Sequence, residues 1–252
     1  MVQEKELKAI LVAGGEGSRL SPFTNYTHKT LLPLFDRPVI DYALSAIRRA
    51  GVRDIIIIAN NRIGQIAKHV GVGITGERIH YVIEESPRGV ANALELARPH
   101  VEGSRILLYF SDNITTWNFA EDGERFRKSK DPPGAILLAR TVDNPKDFGV
   151  CVIDENGDVV DILEKPDEPP SDLAIGGIYM FDENFWNYLD EESKRKGSDF
   201  SISDITRRYV IQGDAIIRNI GEGTWVDCGT PENLLKAGNL AFEGEISAEF
   251  KQ

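Results

Sequence analysis

Three glycines fall within four positions in Gly14-Gly15-Glu16-Gly17, directly after a short apolar run, and Ser18 and Arg19 follow. Glycines so spaced let backbone N–H groups close on an anion and tolerate positive φ. Arg19 adds a cation whose forked donors suit phosphate, and Lys29 stands a little further on. Two familiar phosphate loops are excluded. The dinucleotide fingerprint needs a third glycine where Leu20 stands, and the Walker loop needs a Gly-Lys-Ser/Thr that does not follow this strand. Two carboxylates complete the set: Asp112, at the end of an apolar run, and Asp227, between Trp225 and Gly229. With phosphate oxygens and water they would make the octahedral oxygen site that suits Mg2+.

These side chains need strand ends to hold them. Residues 7–13, 55–58, 79–83 and 105–110 read as buried strands, and 39–50, 62–70 and 90–97 as helices between them, with Gly51 as a stop. Continuous apolar strands alternating with amphipathic helices predict an α/β fold: a mixed, mainly parallel sheet with helices on both faces. After about Gly134 the pattern changes. Residues 135–140, 150–153, 159–163 and 178–181 read as strands, with Asn156-Gly157 as a hairpin turn. Residues 183–191, 203–210 and 231–242 read as helices, and Phe181, Phe185 and Trp186 as a packing cluster. Asp131-Pro132-Pro133-Gly134 is the most linker-like stretch. The expectation is one domain over 1–252, with a nucleotide-binding half (about 1–134) facing a mixed-sheet half (about 135–252) across a cleft.

Composition narrows the partners. The chain has 252 residues, 41% hydrophobic, with a formal net charge of −11. That charge argues against a nucleic-acid polymer, which needs a cationic face. No apolar run approaches the ~20 residues of a membrane span. Cys151 and Cys228 match no disulfide framework or metal spacing, so a reducing, cytoplasmic setting is expected. Self-association into a homo-oligomer is left open.

The motifs Gly14-Gly15-x-Gly17-x-Arg19-Leu20-x-Pro22-x-Thr24 and Lys29-x-Leu31-Leu32-Pro33 resemble the signature of the sugar-1-phosphate nucleotidyltransferases, glucose-1-phosphate thymidylyltransferases above all. The likeness continues in order through Asp36-Arg37-Pro38, Pro87-Arg88-Gly89, Ser111-Asp112-Asn113, Glu164-Lys165-Pro166, Gly177-Ile178-Tyr179 and Trp225-Val226-Asp227-Cys228-Gly229, across roughly residues 8 to 240. The resemblance implies a Rossmann-like nucleotide-diphospho-sugar transferase fold. It also implies the reaction: a sugar-1-phosphate oxygen attacks the α-phosphorus of a nucleoside triphosphate, and pyrophosphate leaves. Phosphate brings its own ionised nucleophile, and no Ser/His/Asp grouping is present to supply another. In that light Asp112 and Asp227 hold Mg2+, and Arg19 and Lys29 meet the β- and γ-phosphates. Lys165 meets the sugar phosphate. Ala13, Gly14, Gly15, Gly17, Ser18, Glu84, Pro87 and Gly89 bind nucleotide. Asn113, Gly149, Glu164, Gly177 and Tyr179 line the sugar pocket. His28 is a candidate ligand contact.

Three departures stand out. Relatives using thymidine or uridine triphosphate usually carry Gln where Glu84 stands. A carboxylate meets the N3–H of thymine or uracil but repels the flanking carbonyl, and it suits the adjacent N1–H and N2–H of guanine. Thymidine or uridine triphosphate with glucose-1-phosphate stays the first reading. A guanylyltransferase acting on mannose- or heptose-1-phosphate is the second, and a catalytically silent relative the third. A dehydrogenase would need the missing glycine. Gly197 replaces the arginine that relatives place before the stretch matching residues 198–204, leaving Arg195 or Lys196 as substitutes. Finally, the sequence stops soon after Gly238, so the extension that relatives use for subunit contacts and feedback is not expected.

Overall fold

The structure is a computed structural model that describes residues 5–86, 88–129 and 132–248. Pro87 and Asp131 lie outside the described residues. Eleven strands and seven α-helices alternate along the chain among the described residues. The first half runs β1 (Leu7–Ala13), α1 (Val39–Arg49), β2 (Asp54–Ala59), α2 (Ile63–Val70), β3 (Arg78–Ile83), α3 (Val90–Val101) and β4 (Arg105–Phe110). Then follow β5 (Asn113–Thr115), α4 (Ala120–Lys128), β6 (Ala135–Thr141), β7 (Gly149–Ile153), β8 (Val159–Glu164) and β9 (Leu173–Phe181). The chain continues through α5 (Phe185–Lys196), α6 (Ile202–Ile211), β10 (Ala215–Asn219), β11 (Trp225–Asp227) and α7 (Pro231–Glu243).

One sheet has the order β10-β6-β9-β4-β1-β2-β3, with the β7–β8 hairpin attached through β9. β9 runs antiparallel to both neighbours, while β1, β2, β3 and β4 are mutually parallel, as is the pair β6–β10. This is the mixed, mainly parallel sheet expected. β2, DIIIIA, is buried at every position because helices cover both faces. On one face α1 and α2 pack through Ile40, Leu44, Ile47 and Ile66. On the other, α3, α5 and α6 pack through Leu94, Phe185, Leu189, Ile205 and Tyr209. A third, small core joins α1, β5, β11 and α7 through Tyr42, Ile114, Val226 and Ala237.

Four elements lay outside the sequence reading: α4, β5, β10 and β11. α4 is almost wholly polar, with Phe126 as its buried apolar anchor. It packs at Gly123, where a side chain would collide with the Ala50 carbonyl, so close approach rather than periodicity places it. α3 runs past residue 97 through Pro99 to Val101, which is fully buried. The Asn156-Gly157 turn closes β7 on β8, with Gly157 at φ +89°. Both cysteines are free and buried. Among the described residues no helix is long and apolar enough to cross a membrane.

Candidate active site

The chain builds β1, β2 and β3 outward in one direction, then crosses back to lay β4 on the other side of β1. Ligands in open α/β sheets bind at such a switch, beyond the carboxyl ends of the strands. The glycine loop leaves β1 there, and Asp112 leaves β4 there. Their strand ends are adjacent: Val12 pairs with Phe110, and Ser111 donates its N–H to the Val12 carbonyl at 3.0 Å.

Asp227 arrives from far along the sequence. The short strands β5 and β11 pair antiparallel with Asp227 opposite Asn113, and the Cys228 N–H donates to the Asp112 carbonyl at 2.8 Å. The Asp227 carboxylate accepts from the Gly229 N–H at 2.8 Å, and Asn233 at the start of α7 donates its amide to the Asp227 carbonyl at 2.8 Å. The two carboxylates perturb each other. Burial works to raise Asp112, yet the Lys29 ammonium against its Oδ2 and the Asn113 amide at 3.0 Å from Oδ1 outweigh burial and hold it below the usual carboxylate range. Burial and the Asp112 charge push Asp227 up.

Cations surround this pair. Lys29 runs beneath the glycine loop, its Nζ 3.2 Å from where a side chain on Gly15 would begin. Gly17 has φ +68°, and a Cβ there would stand 2.9 Å from both Lys29 and Thr24, so position 17 demands glycine on two counts. Arg19 reaches across to Gly229, with Nη2 2.7 Å from where a Cβ would stand. Its charge is felt by Asp227.

His28 does not face the cleft: it is 1% exposed. The Thr30 N–H donates to its Nδ1 at 3.3 Å, which makes Nδ1 the acceptor and puts the ring proton on Nε2, 2.9 Å from the Ala13 carbonyl. Burial, helped by Lys29 and Arg62, lowers its pKa to about 4, so the ring is neutral. His28 ties the loop's start to the segment bearing Lys29. Ala13 is likewise buried, with its carbonyl committed to this bond. Arg62 and Gln65 pin the same segment through the carbonyls of Thr24, Asn25 and Tyr26.

On the β7–β9 side, Gly149 pairs with both Glu164 and Ile175. Glu164 ends β8, and the Ser203 hydroxyl at the start of α6 donates to its Oε2 at 2.5 Å. Lys165 is 62% exposed at its side chain and lies 3.8 Å from Glu164. It has φ +44°, the one non-glycine in the left-handed region among the described residues. Such a conformation persists only where the surroundings impose it, and it marks functional sites.

Two expected sugar contacts need correction. Asn113 is 3% exposed, and its amide is spent inside the protein. Nδ2 donates to Asp112, while Oδ1 accepts from the Gly177 N–H at 3.0 Å and from Trp225 Nε1 at 2.7 Å. A Cβ on Gly177 would stand 2.8 Å from that amide, so the glycine serves this contact. Tyr179 puts its ring in the second core, stacked on Phe181 at 5.7 Å. Burial and the Glu164 charge push its phenol pKa up. Arg195 and Lys196 are engaged locally, with Glu192 and with Asp204 at 3.2 Å. Ser18 and Gly89 are exposed, whereas Glu84 is buried. Sequence reasoning missed Asn92, which donates to Glu84 at 2.8 Å, and Ser203. The capping pattern Ser201-x-x-Asp204, which opens α6, is the local signal that could have placed Ser203 near a strand end.

Comparison with known proteins agrees with this geometry. The family model described as nucleotidyl transferase matches residues 8–243. A glucose-1-phosphate thymidylyltransferase of Xanthomonas campestris is 35% identical over 236 residues, 92% of this chain and 80% of that protein. A low-salt glycan biosynthesis nucleotidyltransferase of Haloferax volcanii is 32% identical over 94% of this chain, which spans 66% of that protein's length. A crystal structure from Bacillus anthracis, provisionally assigned as a glucose-1-phosphate thymidylyltransferase and holding sucrose, superposes with TM-score 0.87 at 33% identity, covering 98% of each chain. The strand-switch cleft, the ordered motifs and these matches converge: the chain belongs to the nucleotidyl transferase family.

Proposed function

We propose that the protein transfers a nucleotidyl group from thymidine or uridine triphosphate to a hexose-1-phosphate, glucose-1-phosphate foremost, releasing pyrophosphate. The observation that carries this reading is the meeting of Asp112, Asp227, Lys29 and Arg19 at the β1–β4 switch point. Both reactants are anions, so bringing them together needs cations and backbone donors rather than a protein nucleophile.

The donor set fits Mg2+. Asp112 and Asp227 offer hard oxygens, and the upward push on Asp227, from burial first and then from the Asp112 charge, is one that a divalent cation would relieve. Among the described residues no third His, Cys, Asp or Glu joins them, so the ligands' phosphate oxygens and water would have to complete such a site. Bound there, Mg2+ would supply charge neutralisation on the phosphate oxygens. The protein's own groups do the rest. Backbone N–H groups of Gly14, Gly15 and Gly17 cradle the outer phosphates, with Lys29 and Arg19 as counter-charges. Lys165 holds the sugar phosphate in line with the α-phosphorus. Glu164, one oxygen held by Ser203, accepts a sugar hydroxyl on the other. Gly149 leaves the ring room. The nucleotide half (about 1–134) and the sugar half (about 135–252) share one sheet, which supports treating them as one unit.

A catalytically silent relative would have lost a carboxylate or a phosphate lysine, and here all are present together. The test is product identity by mass spectrometry after incubation with Mg2+, glucose-1-phosphate and each triphosphate in turn. A thymidine- or uridine-diphosphoglucose is expected. No nucleotide-sugar with any triphosphate or hexose phosphate would end this reading.

A further inference from the structure

Helix α7 turns one face inward and leaves the other bare. Ala237 is fully buried, and Leu234, Leu240 and Ala241 pack beside it on the third core. A Cβ on Gly238 would stand 2.9 Å from the Leu34 carbonyl, and this close approach fixes which face points outward. The outward stripe is Leu235, Asn239 and Phe242, spaced four and three along the helix and all exposed. Phe242 meets Phe35 edge to face, ring centroids 5.3 Å apart, and Phe23 lines the same groove of about 500 Å³. Phe23, Phe35, Leu235 and Phe242 are 59%, 56%, 67% and 70% exposed. At about 200 Å² for a whole aromatic side chain, they leave on the order of 450 Å² of apolar surface in water. Patches of that size on a single chain mark interaction sites.

We propose that this face joins two copies of the chain about a two-fold axis at Asn239, with their α7 helices antiparallel. The stripe is self-complementary. Leu235 lies four residues before Asn239 and Phe242 three after, so each Leu235 falls against Phe242 of the second copy. Asn239 faces its own counterpart, and an amide has both a donor and an acceptor to exchange. Charge follows the same symmetry. Lys236 and Glu243 are exposed on one flank of the stripe, three before and four after Asn239. Antiparallel crossing sets each lysine against the glutamate of the second copy. Among the described residues neither forms an ion pair within its own chain. The area also fits: a stable interface buries about 800 Å² per partner, a little over half of it apolar. An anionic membrane or nucleic-acid surface is disfavoured by the formal charge of −11. The interface would brace the site as well, since Asn233 in the first turn of α7 holds the Asp227 carbonyl.

The test is the mass of the intact chain in solution, by sedimentation velocity at micromolar concentration. Twice the 28.0 kDa of one chain, or an even multiple, is expected. Leu235→Glu combined with Phe242→Glu should raise the dissociation constant at least 100-fold, because charge at the centre of an apolar interface goes unpaired. Both positions are exposed in the single chain, so this variant is expected to fold; its circular dichroism and Tm are checked alongside. Two further variants read the register. Lys236→Glu alone should weaken association, and Lys236→Glu with Glu243→Lys should restore it. Asn239→Cys should give a disulfide-linked dimer with oxidised glutathione, while Cys151 and Cys228 are buried and stay out of reach. A monomeric intact chain overturns the proposal and leaves the groove to a different partner. An oligomer whose mass the Leu235 and Phe242 substitutions leave unchanged overturns it too. Dissociation by those substitutions without charge rescue or cross-link would overturn the antiparallel two-fold.

Discussion

The Cys228 N–H donates to the Asp112 carbonyl at 2.8 Å, so the two acidic residues of the cleft are registered by main chain, not by their side chains. The β5–β11 pairing carries that bond, so neither carboxylate is needed to hold the two strands together; they take Lys29, Asn113 and the Gly229 N–H instead. Side-chain substitution at either aspartate should therefore spare the fold. Asp112→Asn and Asp227→Asn are each expected to lower kcat about 100-fold or more, as loss of one preorganised charge contact does. Tm should change little. Chelation of divalent metal should abolish turnover and Mg2+ should restore it. Turnover of the Asp112→Asn protein near that of the parent would remove Asp112 from this role.

Asn113 joins the carboxylate to the opposite wall. Asn113→Ala leaves the Trp225 indole N–H and the Gly177 N–H without their acceptor, each at a cost of about 1–3 kcal/mol. Thermal unfolding should show a Tm several degrees lower, and kcat should fall as Asp112 loses a donor. An unshifted Tm would mean that other groups satisfy those donors.

Lys165 separates stability from activity. Its left-handed backbone costs an L-residue about 1–2 kcal/mol that glycine does not bear. Among the described residues its exposed side chain forms one ion pair, at 3.8 Å from Glu164. Lys165→Gly should keep or slightly raise Tm while reducing kcat/KM for the sugar phosphate about 100-fold. Parallel loss of both would point to a structural lysine.

His28 predicts a pH dependence. Its folded pKa of about 4 lies below the ordinary 6.5, so the unfolded chain binds a proton that the folded one refuses. Stability is then whole above about pH 6.5 and falls as pH drops toward 4, by about 3 kcal/mol in all from this group. Denaturant titrations at pH 7, 5.5 and 4.5 on the parent and on His28→Gln should show a shallower acid loss in the variant. Equal slopes would place the acid sensitivity elsewhere.

The glycine-loop end of the candidate site was legible because its signals are local. Gly14 to Arg19 sit in one loop, and the apolar runs of β1, β2 and β4 announce themselves. The carboxylate end was legible only as residue types, since β5 and β11 are three residues each and carry no period. Asn113 and Tyr179 were misplaced for one reason. Sequence says that a polar side chain stands near a site, not whether tertiary partners already consume its hydrogen bonds. Asn92 was invisible likewise: on α3 it reads as an ordinary surface position until β3 brings Glu84 against it.

The central claim is that the α-phosphorus is the atom attacked. Uridine or thymidine triphosphate labelled at the α-phosphorus, and separately at the γ-phosphorus, is incubated with glucose-1-phosphate, Mg2+ and the protein. The α-label is predicted in a nucleotide-sugar and the γ-label in pyrophosphate, both only when sugar phosphate is present. Transfer of the γ-label to the sugar, or its release as phosphate without sugar, would contradict the account.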